Sequence, residues 1–403
     1  VFWYNTEPVT EWQAKLNAYL AERARAGLLR RLRGVTARAG AECTIDGRAC
    51  VNFASNDYLG FADDPVTREG ALHAVRDWGT GAGAARLISG DYALVRELEE
   101  LLAAWKGVEA ALVFPSGYMA NLGAIAALAG PDDTVVVDRL AHASLIDGAR
   151  LSGATVRVFP HNDAARLDEI LRRPRSGSVL VVTESVFSMD GDCAPLVELV
   201  ACCRRHGAML LVDEAHALGV YGGGRGCVAA AGLTGAVDIV VGTLSKALGS
   251  QGGFVAGSRA LIETLVNRAR AFVYTTGIAP AAVGAARAAL QELMRSSARV
   301  ERLWENVRRW RAAVAGVPVR GDGPICPVIT GSAGAAVALA ERLGAAGYYA
   351  PAIRPPTVPR GTSRVRITLS AAHTPAQLDG MAAELRHARM ELMKENNVMD
   401  VHD

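Results

Sequence analysis

Leu210-Leu211-Val212-Asp213-Glu214-Ala215-His216 sets a carboxylate against the end of an apolar run, with an imidazole three residues on. Ile239-Val240-Val241-Gly242-Thr243-Leu244-Ser245-Lys246 follows another such run with an amine. Short, near-continuous apolar runs are the mark of strands buried on both faces. The 33 residues from Asp213 to Lys246 match one βαβ unit, which sets both groups on the same rim of a sheet. Outward from this pair the rhythm recurs at residues 111–114, 134–137 and 179–183, with helical stretches between. Residues 254–256, after Gly252-Gly253, read as a further strand at an edge. The fold expected is α/β, a large and mainly parallel sheet with helices on both faces. Such sheets bind ligands at the carboxyl ends of their strands, where the polar residues collect here too.

On the N-terminal side, residues 11–31 space Trp12, Leu16, Tyr19, Leu20 and Leu28 mostly three or four apart among charges, the pattern of an amphipathic helix. Residues 51–59 read as an extended segment and turn, and residues 94–105 as a helix closed by Lys106 and Gly107. Past Pro280 the rhythm changes to a long helical pattern through Val314, with Ser296-Ser297 as a break. Strands then follow at 317–319, 327–330, 349–353 and 364–369, with a helix near 335–345 and a last one after Thr374. The division expected is a helical arm over 1–50, a large α/β domain over 51–290 and a small α+β domain over 291–403.

Half of the 403 residues are hydrophobic and 21% are charged, which excludes a disordered chain. Lys plus Arg number 43 against 41 Asp plus Glu, so there is no electrostatic footprint for nucleic acid. The uncharged run 110–130 is long enough to cross a bilayer, but Pro115, Ser116, Gly117 and Asn121 interrupt it. It reads as strand, loop and buried helix, and no membrane association is expected. No N-terminal stretch has the order of a signal peptide. The seven cysteines are scattered without C-x-x-C spacing, which suggests reduced thiols in the cytoplasm and no bound metal.

Only four of the basic residues are lysines: Lys15, Lys106, Lys246 and Lys394. Lys246, at a strand's carboxyl end and followed by Gly249, Gly252 and Gly253, is placed to be desolvated and so to act as a nucleophile toward a carbonyl. The other three read as surface or helix-end lysines. A buried Asp213 needs a positive partner, such as a protonated pyridine nitrogen, unless it serves as a helix cap. Phe114-Pro115-Ser116-Gly117-Tyr118 runs from strand into helix, where free N–H groups and the helix dipole suit a phosphate, and Thr243 offers a hydroxyl to the same group. His142, after another strand, either stacks on a planar cofactor or is structural. Ser188 either meets a cofactor oxygen or is a turn serine. Gly79-Thr80-Gly81-Ala82-Gly83 lacks the third spaced glycine of a dinucleotide loop, and there is no P-loop, H-E-x-x-H or G-x-S-x-G.

Together these segments, from about Trp12 to about His373, resemble the α-oxoamine synthases, pyridoxal phosphate enzymes of the aspartate aminotransferase fold type. Ala352-Ile353-Arg354-Pro355-Pro356-Thr357-Val358-Pro359 and Trp12-Gln13-Ala14-Lys15-Leu16-Asn17 are most similar to the branch that joins L-alanine to a pimeloyl thioester in biotin biosynthesis. The resemblance implies a seven-stranded sheet, pyridoxal 5'-phosphate as cofactor, and an acyl donor carried on coenzyme A or an acyl carrier protein. It implies that Lys246 bonds to the cofactor, Asp213 pairs with the ring nitrogen and His216 meets the ring 3-hydroxyl, while His142 stacks on the ring and also binds substrate, hydrogen-bonding the thioester carbonyl oxygen or the acid that is lost. Gly117, Tyr118, Ser188 and Thr243 would complete the cofactor site. Asn56 and Arg354 would contact the substrate carboxylate, with Arg30 and Thr357 at further substrate positions. Thr275, in Tyr274-Thr275-Thr276, would reach the phosphate of a neighbouring subunit, making a homodimer with shared sites. The rival readings are a sister enzyme using glycine or serine with another acyl thioester, and a noncatalytic regulator on the same fold. Val1–Pro8 and Asn396–Asp403 have no counterpart in the resemblance, and Ala84-Ala85-Arg86 falls where relatives vary, which bears on acyl-chain preference.

Overall fold

Seven runs of small, β-branched and leucine side chains form the central sheet: β1 Ala110–Phe114, β2 Thr134–Asp138, β3 Thr155–Phe159, β4 Val179–Glu184, β5 Met209–Asp213, β6 Ile239–Thr243 and β7 Gly253–Gly257. The computed structural model describes residues 10–399, with side chains through residue 391. Val1–Pro8 and residues 400–403 of the unmatched ends lie outside the described residues, as does the side chain of Lys394.

The strand order is β1-β7-β6-β5-β4-β2-β3. β2 pairs in parallel with β3 and β4, and β4, β5 and β6 continue in parallel. β7 is antiparallel to both β6 and β1. The sheet is therefore mainly parallel, as expected, and every residue of β2, β4, β6 and β7 is buried. Alternate side chains explain the double burial: Val135 and Val137 pack with the helices Gly117–Leu128 and Ala143–Leu151, while Val136, Val181 and Val212 join Leu98, Leu199 and Leu290 on the other face. The uncharged run 110–130 resolves into β1, a short loop and the helix Gly117–Leu128. No helix among the described residues is long and apolar enough to cross a membrane.

Four differences from the sequence reading have physical causes. Residues 254–256 do not sit at an edge: β7 lies between β6 and β1, because the glycine-rich segment after Lys246 reverses the chain and lays β7 beside its predecessor. The edge strand β3 went unread because Thr155-Val156-Arg157-Val158-Phe159 is largely exposed and carries an arginine. The N-terminal helix spans only Glu11–Arg25, buries nothing, and gives way at Gly27, whose φ of 65° suits glycine. The chain then forms antiparallel strands Val35–Ala39, Glu42–Ile45 and Arg48–Asn52, the last pairing in parallel with Tyr348–Tyr349. Finally, the strand expected at 349–353 is split by Pro351 into two short pieces in different sheets, and 317–319 contributes only a bridge from Val319 to Val328.

Ile325–Gly331, Ser363–Thr368 and Ala352–Ile353 make a three-stranded sheet. Its core gathers Trp310, Leu339, Val365, Ile367, Leu378 and Leu385, and Phe53 joins it from the N-terminal side. The helices Pro280–Arg295 and Ala298–Ala313 meet at the break expected near Ser296-Ser297. The carboxyl ends of β4, β5 and β6 lie side by side, with Glu184 in register with Asp213. The strand Ser363–Thr368 reaches the same rim from the C-terminal sheet, through Arg366 and the Ser188 carbonyl.

Candidate active site

Lys246 follows β6 directly, half-buried, and its Nζ lies 3.1 Å from Nε2 of His216 in the turn after β5. Burial pulls the Lys246 amine below its ordinary range; Asp213 and Glu184 oppose this and Arg366 adds to it. His216 is buried and is held well below the usual histidine range, first by burial and then by the charges of Lys246 and Arg366. Its Nδ1 lies 2.6 Å from the hydroxyl of buried Tyr58, whose pKa burial pushes up to about 12. The charge of nearby Arg366 opposes that rise.

Asp213 ends β5 with its carboxylate held twice. Its Oδ1 accepts from the N–H of Ala215 at 2.8 Å, and its Oδ2 accepts from Nδ2 of buried Asn121 at 2.7 Å. Asn121 Nδ2 also reaches Ser144 Oγ at 2.9 Å, and Ser144 Oγ lies 2.8 Å from Nδ1 of His142. His142 caps the helix Ala143–Leu151, and its backbone N–H donates to Glu184 Oε1 at 2.7 Å. The residue is exposed, and its ring lies edge-on to Tyr118 at 6.4 Å between centroids. Desolvation by the walls lowers the His142 pKa, opposed by Asp213, with Lys246 lowering it further. Glu184 is buried and its carboxyl is raised well above the usual range, first by burial and then by the Asp213 charge.

Ser116 caps the helix Gly117–Leu128 by accepting from the N–H of Met119 at 3.2 Å. The first-turn N–H groups of Gly117 and Tyr118 have no carbonyl within the helix to take them. A Cβ on Gly117 would stand 3.4 Å from that of Thr243, and one on Gly253 would come within 2.5 Å of Gly117 N, so bare backbone lines this corner. Thr243 Oγ1 donates to the Gly252 carbonyl at 2.9 Å and lies 2.7 Å from Ser245 Oγ. An anion cradle, a desolvated amine and a fixed carboxylate thus share one rim. That donor set fits an aromatic aldehyde carrying a phosphate and a basic ring nitrogen.

Of the residues expected from sequence, Lys246, His216, Asp213, His142, Gly117, Tyr118, Thr243 and Ser188 gather here. Asn56 joins them through Arg366, which was not anticipated. Arg366 is buried, donating from Nε to the Ser188 carbonyl at 2.6 Å and from Nη2 to Asn56 Oδ1 at 3.1 Å. Arg30 and Thr357 pair with each other at 3.1 Å, and Arg354 donates to the Gly27 carbonyl. Arg30 and Arg354 border a separate cleft of about 850 Å³ with Arg31, Arg33 and Arg48. Thr275 is half-buried and Thr276 exposed, the latter bridging to Ala85. Tyr58, Asn121, Ser144, Glu184 and Arg366 were missed as site residues. Two arginines alternating in a strand, Arg364 and Arg366, were the readable signal for the last of these. Lys106 does end its helix, Ala93–Lys106, as read, but it is not at the surface: its side chain is 2% exposed and forms an ion pair with Glu214, which is wholly buried.

The family model for aminotransferase class I and II matches residues 48–385. The chain is 50% identical over 363 residues to the 8-amino-7-oxononanoate synthase of Anaeromyxobacter dehalogenans, covering 89% of this chain and 91% of that one. It is likewise 50% identical over 349 residues to the 8-amino-7-oxononanoate synthase of Methylococcus capsulatus, covering 85% and 90%. Among solved structures it is similar to a serine palmitoyltransferase from S. paucimobilis with a bound PLP–myriocin aldimine, at 33% identity and a TM-score of 0.88 over 95% of this chain and 98% of that one. It is also similar to the 8-amino-7-oxononanoate synthase of Francisella tularensis, at 26% identity and a TM-score of 0.74 over 85% and 99%.

Proposed function

We propose a reaction for this chain from one premise: it belongs to the aminotransferase class I and II family, and within it to the 8-amino-7-oxononanoate synthases. The reaction is the condensation of L-alanine with a pimeloyl thioester, releasing carbon dioxide and a free thiol. The observation that carries this reading is the desolvated Lys246 amine, 3.1 Å from His216 on the rim that also holds Asp213.

Pyridoxal 5'-phosphate is the cofactor, and when bound it supplies an aldehyde for an amine and an electron sink for the carbon beside that amine. Lys246 would hold it at rest through Nζ and, once free, take the α-proton of alanine on that nitrogen, a task suited to an amine of lowered pKa. Asp213, fixed by Asn121 and the Ala215 N–H, would keep the ring nitrogen protonated. His216 would meet the ring oxygen. Gly117, Tyr118 and Thr243 would cradle the phosphate. His142 would lie over the ring, and Ser188 would sit at its edge. Arg366, with Asn56 behind it, is the guanidinium set to hold the carboxylate of the amino acid. A pimeloyl group carries a second carboxylate at its far end. We assign Arg30, Arg354 and Thr357, beside their basic cleft, to that end of the acyl substrate.

Thr275 of one copy would meet the phosphate of a second, so the active unit is read as a homodimer with shared sites. The setting is read as the cytoplasm, a reading supported by seven free thiols. The division at residues 50 and 290 into arm, cofactor domain and small C-terminal domain is kept as part of the proposal. Similarity to a serine palmitoyltransferase favours, as a second reading, a sister enzyme that takes serine. One assay separates the two: thiol release by cofactor-loaded protein from pimeloyl-coenzyme A, or pimeloyl-acyl carrier protein, with L-alanine, glycine or L-serine. Release that requires L-alanine supports the reading, and release with L-serine alone overturns it.

A further inference from the structure

Behind His142 stands a row of side chains to which the proposed reaction gives no direct part. The row has a direction that can be worked out from donors and acceptors. Asp213 Oδ2 accepts from Asn121 Nδ2 at 2.7 Å. Turning the amide of Asn121 over would set its Oδ1 lone pairs against that carboxylate, so an ionised Asp213 holds Nδ2 inward. The second hydrogen of Nδ2 goes to Ser144 Oγ at 2.9 Å. Ser144, wholly buried, then has its own hydroxyl hydrogen to place, and its neighbour at 2.8 Å is Nδ1 of His142. The backbone N–H of Ser144 points at the same nitrogen from 3.3 Å, as the first-turn donor that His142 caps. Nδ1 therefore accepts twice, and a neutral imidazole whose Nδ1 accepts carries its proton on Nε2.

We propose that Asn121 and Ser144 are positioning residues that hold His142 as the Nε2–H tautomer, so that it meets the substrate as a hydrogen-bond donor and not as a base. The donor role rests on the acyl-transfer reading above; the tautomer does not. The charge of Asp213 at one end thereby sets the proton position at the other, through two uncharged side chains. The ionisable groups around His142 are Asp213, Lys246 and Asp147, with Glu184 on its backbone N–H and the Tyr118 phenol beside its ring.

The test reads the tautomer directly. Protein labelled with ring-¹⁵N histidine gives long-range ¹H–¹⁵N spectra in which protonated and bare ring nitrogens are well separated, and His142→Gln identifies the signal. In cofactor-free and cofactor-loaded protein alike, Nδ1 should be bare and Nε2 protonated. Ser144→Ala removes the hydroxyl donor and should shift the tautomer ratio toward Nδ1–H by about tenfold, while Ser144→Thr should restore it. With that donor gone the imidazole protonates more readily, so the pH at which the His142 ring ¹⁵N signals move to those of imidazolium should be higher in Ser144→Ala than in wild type. A wild-type signal with the proton on Nδ1, or a Ser144→Ala variant with unchanged ratio, overturns the proposal. The spectra need no turnover, so they decide the tautomer even if the acyl-transfer reading fails.

Discussion

Replacing Lys106 with methionine should cost about 3–5 kcal/mol of stability, the usual range for stripping one partner from a buried ion pair. The side chains of Lys106 and Glu214 are 2% and 0% exposed, so water cannot take over the lost contact. The ammonium also donates to the Arg225 carbonyl, while Glu214 retains a second donor, the Val228 N–H at 2.8 Å. Methionine fills nearly the same volume, which leaves loss of charge as the main change. The stranded carboxylate must then either stay ionised without a counter-ion or take up a proton, and both cost free energy. Adding Glu214→Gln should recover most of the loss, because a neutral amide oxygen still accepts from Val228. The assay is urea unfolding of cofactor-loaded wild type, both single variants and the double variant, read as a double-mutant cycle with a coupling of at least about 2 kcal/mol. A Lys106→Met variant within about 0.5 kcal/mol of wild type, or a double variant as damaged as the sum of the singles, would refute the reasoning.

Lys246→Ala should abolish turnover while the protein still binds pyridoxal phosphate without a covalent bond; borohydride treatment followed by mass spectrometry should find no adduct, and normal turnover would remove Lys246 from the reaction. Arg366→Ala should raise KM for L-alanine by about 30-fold or more, in line with a lost charge-assisted pair, whereas Arg354→Ala should act mainly on the acyl substrate; steady-state kinetics with each substrate varied separates them, and the reverse pattern sinks the assignment. In cofactor-free protein, the lowered pKa means that the unprotonated form of Lys246 appears at lower pH than that of an ordinary lysine. Competitive acetylation should therefore reach half-maximal rate at lower pH for Lys246 than for the side chain of a free lysine peptide in the same mixture, and equal midpoints would contradict it. His161 lies between Asp138 at 3.0 Å and Asp192 at 2.7 Å, and although burial opposes it, the two carboxylates raise its pKa to about 10. Its stabilisation is present in full below the unfolded pKa of about 6.5 and is lost as pH rises through about 10. Urea midpoints of wild type and His161→Gln should therefore differ at acid pH and converge in alkali, and a constant difference would refute the pairing.

The heart of the site was readable because its residues end apolar strands. Asp213 and Lys246 stand at the points where buried runs stop, and the 33-residue interval fits one crossover. Partners that arrive from elsewhere in the chain were less visible. Arg366 lies in a segment correctly read as a strand, but nothing local says that the strand Ser363–Thr368 leaves its own sheet's company to meet Ser188 and Asn56. Asn121 was noticed only as a break in an apolar run, since its link to Asp213 spans 92 positions. Tyr58 sat within a quoted turn, and its contact with His216 spans 158 positions. The place of β7 depended on the glycine-rich reversal after Lys246, which allows a hairpin as readily as a crossover to an edge. Lys106 was misread for a similar reason: a helix's last turn is usually wet, and only the packing of Glu214 beneath it makes that end dry.

Inserting β7 between β6 and β1 has a consequence for biosynthesis. β1 has no sheet neighbour but β7 among the described residues, and about 140 residues separate Phe114 from Gly253. At ~5–20 residues per second, the nascent chain carries β1 with an unpaired edge for roughly 7–30 s after it leaves the ribosome. The helices on either side of it, Ala93–Lys106 and Gly117–Leu128, are made early enough to shield its faces, but neither can satisfy its edge. Within the central sheet, the strand that delivers the Gly117 cradle to the rim is thus the one that waits longest for its partner, and truncated or stalled chains ending before residue 253 should be the ones that chaperones hold.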